Sequence, residues 1–113
     1  MVMADAPYIP DRGHLVWLDF DPRVGTEQSG HRPALVLSPL TYNKTGKMIC
    51  CPLTTNPRPN WPFMVEITGG DKASFAIADQ LRCVDWRHRG AVFLRRAEPA
   101  EVNRVRGLAR ALL

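Results

Sequence analysis

ALVLSPLTYNKTGKMICCPLT, residues 34–54, contains two runs that read as strands, ALVLS (34–38) and MICCPLT (48–54). Between them PLTYNKTGK (39–47) carries the Pro, Asn and Gly punctuation of a turn, with room for one helical turn. Short apolar runs around such a connection suit an antiparallel hairpin. In an antiparallel ladder the opposed residue numbers keep a constant sum. Setting Ser38 against Met48 therefore sets Arg32 against Thr54, and places an arginine beside a threonine hydroxyl at the hairpin's open end. That register is a hypothesis, and a structure with the two side chains at opposite ends of a barrel refutes it. Adjacent Cys50 and Cys51 should point to opposite faces of the second strand.

The same reading extends outward. HLVWLDF (14–20) is apolar on both faces and stops at Asp21-Pro22, a turn signal. The polar, glycine-bearing loop PRVGTEQSGH follows, and Pro33 opens the next strand, where a missing N–H is tolerated. FMVEI (63–67) alternates with Phe63, Val65 and Ile67 on one side; TGGDKAS is a turn; FAIADQLRCV (75–84) reads as one bent strand or two short ones. In the tail, Val102, Val105, Leu108, Ala109 and Leu112 recur at helical spacing, with Pro99 suited to the first turn. The expected architecture is mainly β with a C-terminal α-helix: one domain over residues 1–113, a small antiparallel barrel closed by the helix, residues 1–7 flexible.

No apolar run is long enough to span a bilayer, and the first residues lack a secretion signal, so a cytoplasmic protein is expected. The three cysteines suggest no disulfide framework, and His14, His31 and His88 have no ligand-like spacing to them or to each other. Buried, reduced thiols and no metal or other cofactor are the expectation. The formal charge of +4 is unevenly spread. Residues 82–113 hold eight arginines against three carboxylates, whereas residues 1–81 hold seven basic and eight acidic groups. Such asymmetry suits a polyanion, either nucleic acid or an acidic peptide.

The string YIPDRGHLVWLDFDPRVGTEQSGHRPALVLSPLTYN, followed in order by CPLTT, WPFMVEI and AIADQLRCVDWRHRGA, resembles the MazF/PemK toxin family from residue 8 to residue 113. The resemblance implies an SH3-like barrel, a homodimer, ribosome-independent and sequence-specific cleavage of single-stranded RNA without a metal, and a cognate MazE-like antitoxin as inhibitor. It puts the family's catalytic arginine on Arg32 of GHRP and its catalytic threonine on Thr54 of PLTT, with Glu27 as the acidic loop residue. RNA contacts carry over to Gln28, His31, Asn43, Asp79, Gln80, Arg82 and Arg89. One branch has an arginine two residues before the aspartate of the DQ motif. This chain has Ile77 there, and so resembles the chromosomal MazF branch.

The residue types suit metal-free cleavage by the substrate's own 2′-hydroxyl. Arg32 offers a permanently charged fork for phosphate, and Thr54 a hydroxyl donor. Glu27 and His31 are the titratable candidates for the base, and an imidazole exchanges protons near neutrality. Each position also has a plainer reading. Arg32 and His31 can be surface groups, Thr54 an ordinary strand residue, Glu27 and Gln28 a solvated loop, and Asp79-Gln80 partners for barrel backbone. Core or interface packing is expected of Trp17 and Trp86. The alternative function is a non-catalytic gyrase poison of the CcdB type, which shares a similar barrel but needs no phosphate-binding arginine beside a hydroxyl.

Overall fold

The computed structural model describes residues 7–20 and 30–113. Its elements are β1 (His14–Asp19), β2 (His31–Val36), α1 (Leu40–Asn43), β3 (Lys47–Thr54), β4 (Met64–Ile67), β5 (Ser74–Ile77), β6 (Arg82–Asp85), β7 (Val92–Arg96) and α2 (Pro99–Ala111). The strands form a curled antiparallel sheet in the order β4-β5-β3-β2-β1-β7, with β6 also on β3. The long β3 organises it. One edge of β3 takes β2; the other takes β6 along Lys47–Cys50 and β5 along Leu53–Thr54.

The 75–84 segment is therefore two strands, separated by a turn in which the Gln80 N–H reaches Ile77 O. β2 begins at His31, earlier than expected, so Pro33 lies within it. The recorded ladder to β3 starts only at Ala34, and Pro33 pairs with Trp17 of β1.

The sheet is apolar on both faces because both are covered. Leu15, Leu35, Cys51, Leu53, Val65, Ile67 and Ala76 form one core with Val102 and Val105 of α2. Val16, Leu18, Phe20, Ala34, Val36, Met48, Cys50, Val84 and Trp86 form the other. Cys50 and Cys51 thus serve different cores, as strand alternation requires, and burial pushes the Cys50 thiol up to about 12. Cys83, however, is exposed, contrary to the expectation of three buried thiols.

The helix starts with Pro99 at its first turn and buries Val102, Val105 and Ala109, while Leu112 at its end is half exposed. β7 was not anticipated. Its Val92, Phe93 and Leu94 are all exposed, so no alternation marks it, and a bulge interrupts its pairing between Leu15 and Val16.

Candidate functional site

The ladder between β2 and β3 runs Val36↔Cys50, Leu35↔Cys51, Ala34↔Pro52. The ladder ends there, but its register is the one expected for the hairpin, and continued two more steps it would set Arg32 opposite Thr54. Arg32 Nη1 makes a long, 3.5 Å contact with Leu53 O. Thr54 is only 6% exposed, and its Oγ1 accepts the Asn56 N–H at 3.1 Å, which orients the hydroxyl while leaving its proton to donate.

Alternation sends Arg32 and Thr54 to the face of Ala34 and Cys50, and Trp17, His31 and Pro33 to the face of Leu35 and Leu53. At the sheet's end the two sets share one opening. It is a groove of about 550 Å³, lined by Trp17, His31, Arg32, Pro33, Leu53, Thr54 and Thr55, together with Asp71 and Lys72 of the β4–β5 loop and Ser74 at the start of β5. The exposed His31 imidazole stacks on the Trp17 indole, 6.2 Å between centroids at an interplanar angle of 15°.

The other expected residues separate into distinct groups. Glu27 and Gln28 lie outside the described residues. Asn43 is not at the groove. It is 0% exposed; its Nδ2 donates to Pro10 O at 2.8 Å and Ser38 O at 3.0 Å, and its Oδ1 accepts from Ser38 Oγ at 2.6 Å. Its side chain is engaged within the fold and does not line the groove.

Arg82 Nη1 donates to Phe20 O, its guanidinium lying over the Phe20 ring, and Arg89 Nη1 donates to Asp19 O. Both arginines brace the end of β1. Asp79 is exposed and accepts from Trp61 Nε1 at 3.3 Å, with Gln80 beside it in the β5–β6 turn; neither lines the groove. Trp86 is buried, as expected, and its Nε1 donates to Asn43 O at 2.9 Å. Trp17 is not core: 41% exposed, it forms one wall of the groove. Sequence reasoning did not assign Lys72 or Asp71 to the site, because only the folded β4–β5 loop carries them to the hairpin's open end.

Comparison with known proteins agrees with this architecture. A family model described as PemK-like, MazF-like toxin of type II toxin-antitoxin system matches residues 11–113. The chain is 44% identical over 107 residues to the endoribonuclease toxin MazF of Escherichia coli (strain K12), covering 94% of this chain and 96% of that protein. It is 30% identical over 102 residues to the Escherichia coli endoribonuclease PemK, covering 86% and 77% of the two chains. Among solved structures, MazF from Deinococcus radiodurans superimposes with a TM-score of 0.87 at 44% identity, covering 94% of this chain and 97% of that one. A MazE-MazF structure from the same organism gives 0.80 at 41% identity, covering 94% and 96%. With a match across nearly its whole length, the chain belongs to the PemK-like, MazF-like family of toxins of type II toxin–antitoxin systems.

Proposed function

We propose that this protein is a ribosome-independent, sequence-specific endoribonuclease, acting in the cytoplasm as the toxin of a toxin–antitoxin pair. Its cleavage of single-stranded RNA shuts down translation. Its relatives bear the name endoribonuclease, and the observation that carries the chemistry is that Arg32 and Thr54 line one open groove.

In the proposed reaction the 2′-oxygen attacks the adjacent phosphorus and the bond to O5′ breaks, leaving a 2′,3′-cyclic phosphate and a 5′-hydroxyl. The 2′-hydroxyl proton has to leave and O5′ has to gain one, while negative charge grows on the phosphoryl oxygens. Arg32 holds that charge with a forked donor, and Thr54 adds a hydrogen bond from a hydroxyl already oriented by the Asn56 N–H. His31, lining the same groove, supplies an imidazole for the proton transfer. Glu27 remains a candidate for the same task.

A MazE-like antitoxin is the proposed inhibitor, its acidic tail following the basic groove. The homodimer implied by the resemblance is supported by exposed Ile49 and Leu113, which line a depression together with Leu37 and Leu81.

The test is incubation of purified protein with a long mixed-sequence RNA in EDTA. Discrete fragments ending in cyclic phosphate are expected, and sequencing their ends gives the recognition motif. RNA left intact overturns the reading, and inhibition of gyrase supercoiling by the same preparation would replace it.

A further inference from the structure

The groove's second wall has a built position. The β4–β5 loop is tied at its base: Thr68 N–H and Oγ1 donate to the Glu101 carboxylate of α2, and Arg95 Nη1 donates to Thr68 O at 2.7 Å. Gly69 follows with φ +95°, and a Cβ there would lie 3.0 Å from Arg95 Nη1, so the backbone runs close against the guanidinium. These contacts hold the loop where Asp71 and Lys72 line the same groove as Arg32 and Thr54. Lys72 is exposed and has no carboxylate at ion-pair distance among the described residues. In the same groove, Trp17 leaves an indole half open beside His31.

Two cations and an aromatic surface lining one groove match the repeating unit of a single nucleic-acid strand: phosphate, base, phosphate. Aromatic side chains bind bases through their faces, and cations follow the backbone. We infer that Trp17 and Lys72 form a nucleotide subsite beside the reacting phosphate, Trp17 stacking the flanking base and Lys72 binding the next phosphate. Asp71, an acceptor only, repels phosphate and suits an amino group on the base edge. The inference rests on the RNA-cleavage reading and adds to it the residues that hold the substrate on either side of the cut.

The experiment uses a short RNA spanning a mapped cut, and wild-type cleavage of that RNA tests the underlying reading first. Lys72→Met is expected to raise KM about tenfold, with the loss falling on KM rather than kcat. It should also flatten the plot of log affinity against log salt by about 0.7, the contribution of one phosphate on a single strand. An abasic nucleotide placed on each side of the cut in turn should weaken wild type about tenfold at one position. At that position Trp17→Leu should lose nothing further, while Trp17→Phe keeps the penalty. If wild type cleaves but Lys72→Met keeps its KM and salt slope, or the abasic penalty persists in Trp17→Leu, the subsite is wrong and the cleavage reading stands. If wild type leaves the RNA intact, both fall.

Discussion

The two ends of the β2–β3 hairpin use polar side chains in opposite ways. At the turn end, Asn43 is sealed from solvent with its side-chain donors and acceptor engaged by Pro10, Ser38 and its own turn, and Trp86 caps its carbonyl. At the open end, Thr54 is nearly as buried, yet its oxygen accepts one backbone N–H and its proton remains to donate toward a groove also lined by Arg32 and His31. A polar group whose partners are all internal fixes the fold. One with hydrogen-bonding capacity directed at an open cleft is available for chemistry. The hairpin separates the two tasks by the length of its strands.

That contrast predicts that damage at each end will appear in a different measurement. Arg32→Ala should lose at least a hundredfold in single-turnover cleavage, the usual cost of removing one well-aimed charged donor, with little change in unfolding. A loss under tenfold would place the phosphate elsewhere. Asn43→Ala should do the reverse. Denaturant unfolding should show a loss of about 3 kcal/mol, since Pro10 O and Ser38 are left buried without their partner, while the folded fraction cleaves normally. Impaired cleavage by a fully folded Asn43→Ala protein would return that residue to the RNA interface. Thr54→Val should slow cleavage about tenfold, the effect of one neutral hydrogen bond strengthened in the transition state, at a stability cost near 1 kcal/mol.

The smallest effect is one of pH and belongs to the turn end. His14 at the start of β1 is buried, its Nδ1 2.7 Å from Tyr8 OH and its Nε2 without a partner among the described residues. Burial, reinforced by Arg96 and opposed by Asp11, lowers its pKa below the usual imidazole range. The unfolded chain then binds the proton more readily. The stabilisation is complete above about pH 6.5 and is lost as pH falls through the lower folded-state value. Urea midpoints taken from pH 7.5 to 5 should fall in wild type and fall less in His14→Gln; parallel slopes would assign the acid sensitivity to other groups.

The hairpin was legible because its strands are bounded by Pro, Asn and Gly, and because an antiparallel register needs only one correct pair to fix the rest. That is how Arg32 and Thr54 were brought to the same end of the hairpin from the chain itself. The burial of Asn43 was not legible because resemblance transfers a position without saying whether its side chain faces solvent, and its contact with Pro10 is a long-range fact. β7 was invisible for the opposite reason: Val92, Phe93 and Leu94 sit on an exposed edge, so hydrophobic alternation is lost. Trp17 reads as a core or interface residue in an apolar strand, and its indole is half open at the groove. Lys72 lies in an ordinary polar turn until Glu101 and Arg95 fix the loop across from the hairpin.

The central claim, that the open end of this hairpin positions an RNA strand for attack by its own 2′-hydroxyl, is tested most directly with two matched substrates. One is the all-ribose strand spanning a mapped cut, and the other differs by a single 2′-deoxy nucleotide on the 5′ side of that cut. Wild-type protein should cleave the first and leave the second intact at that position. Equal cleavage of both would mean that the nucleophile comes from outside the substrate, and the roles given to Arg32, Thr54 and His31 would not hold.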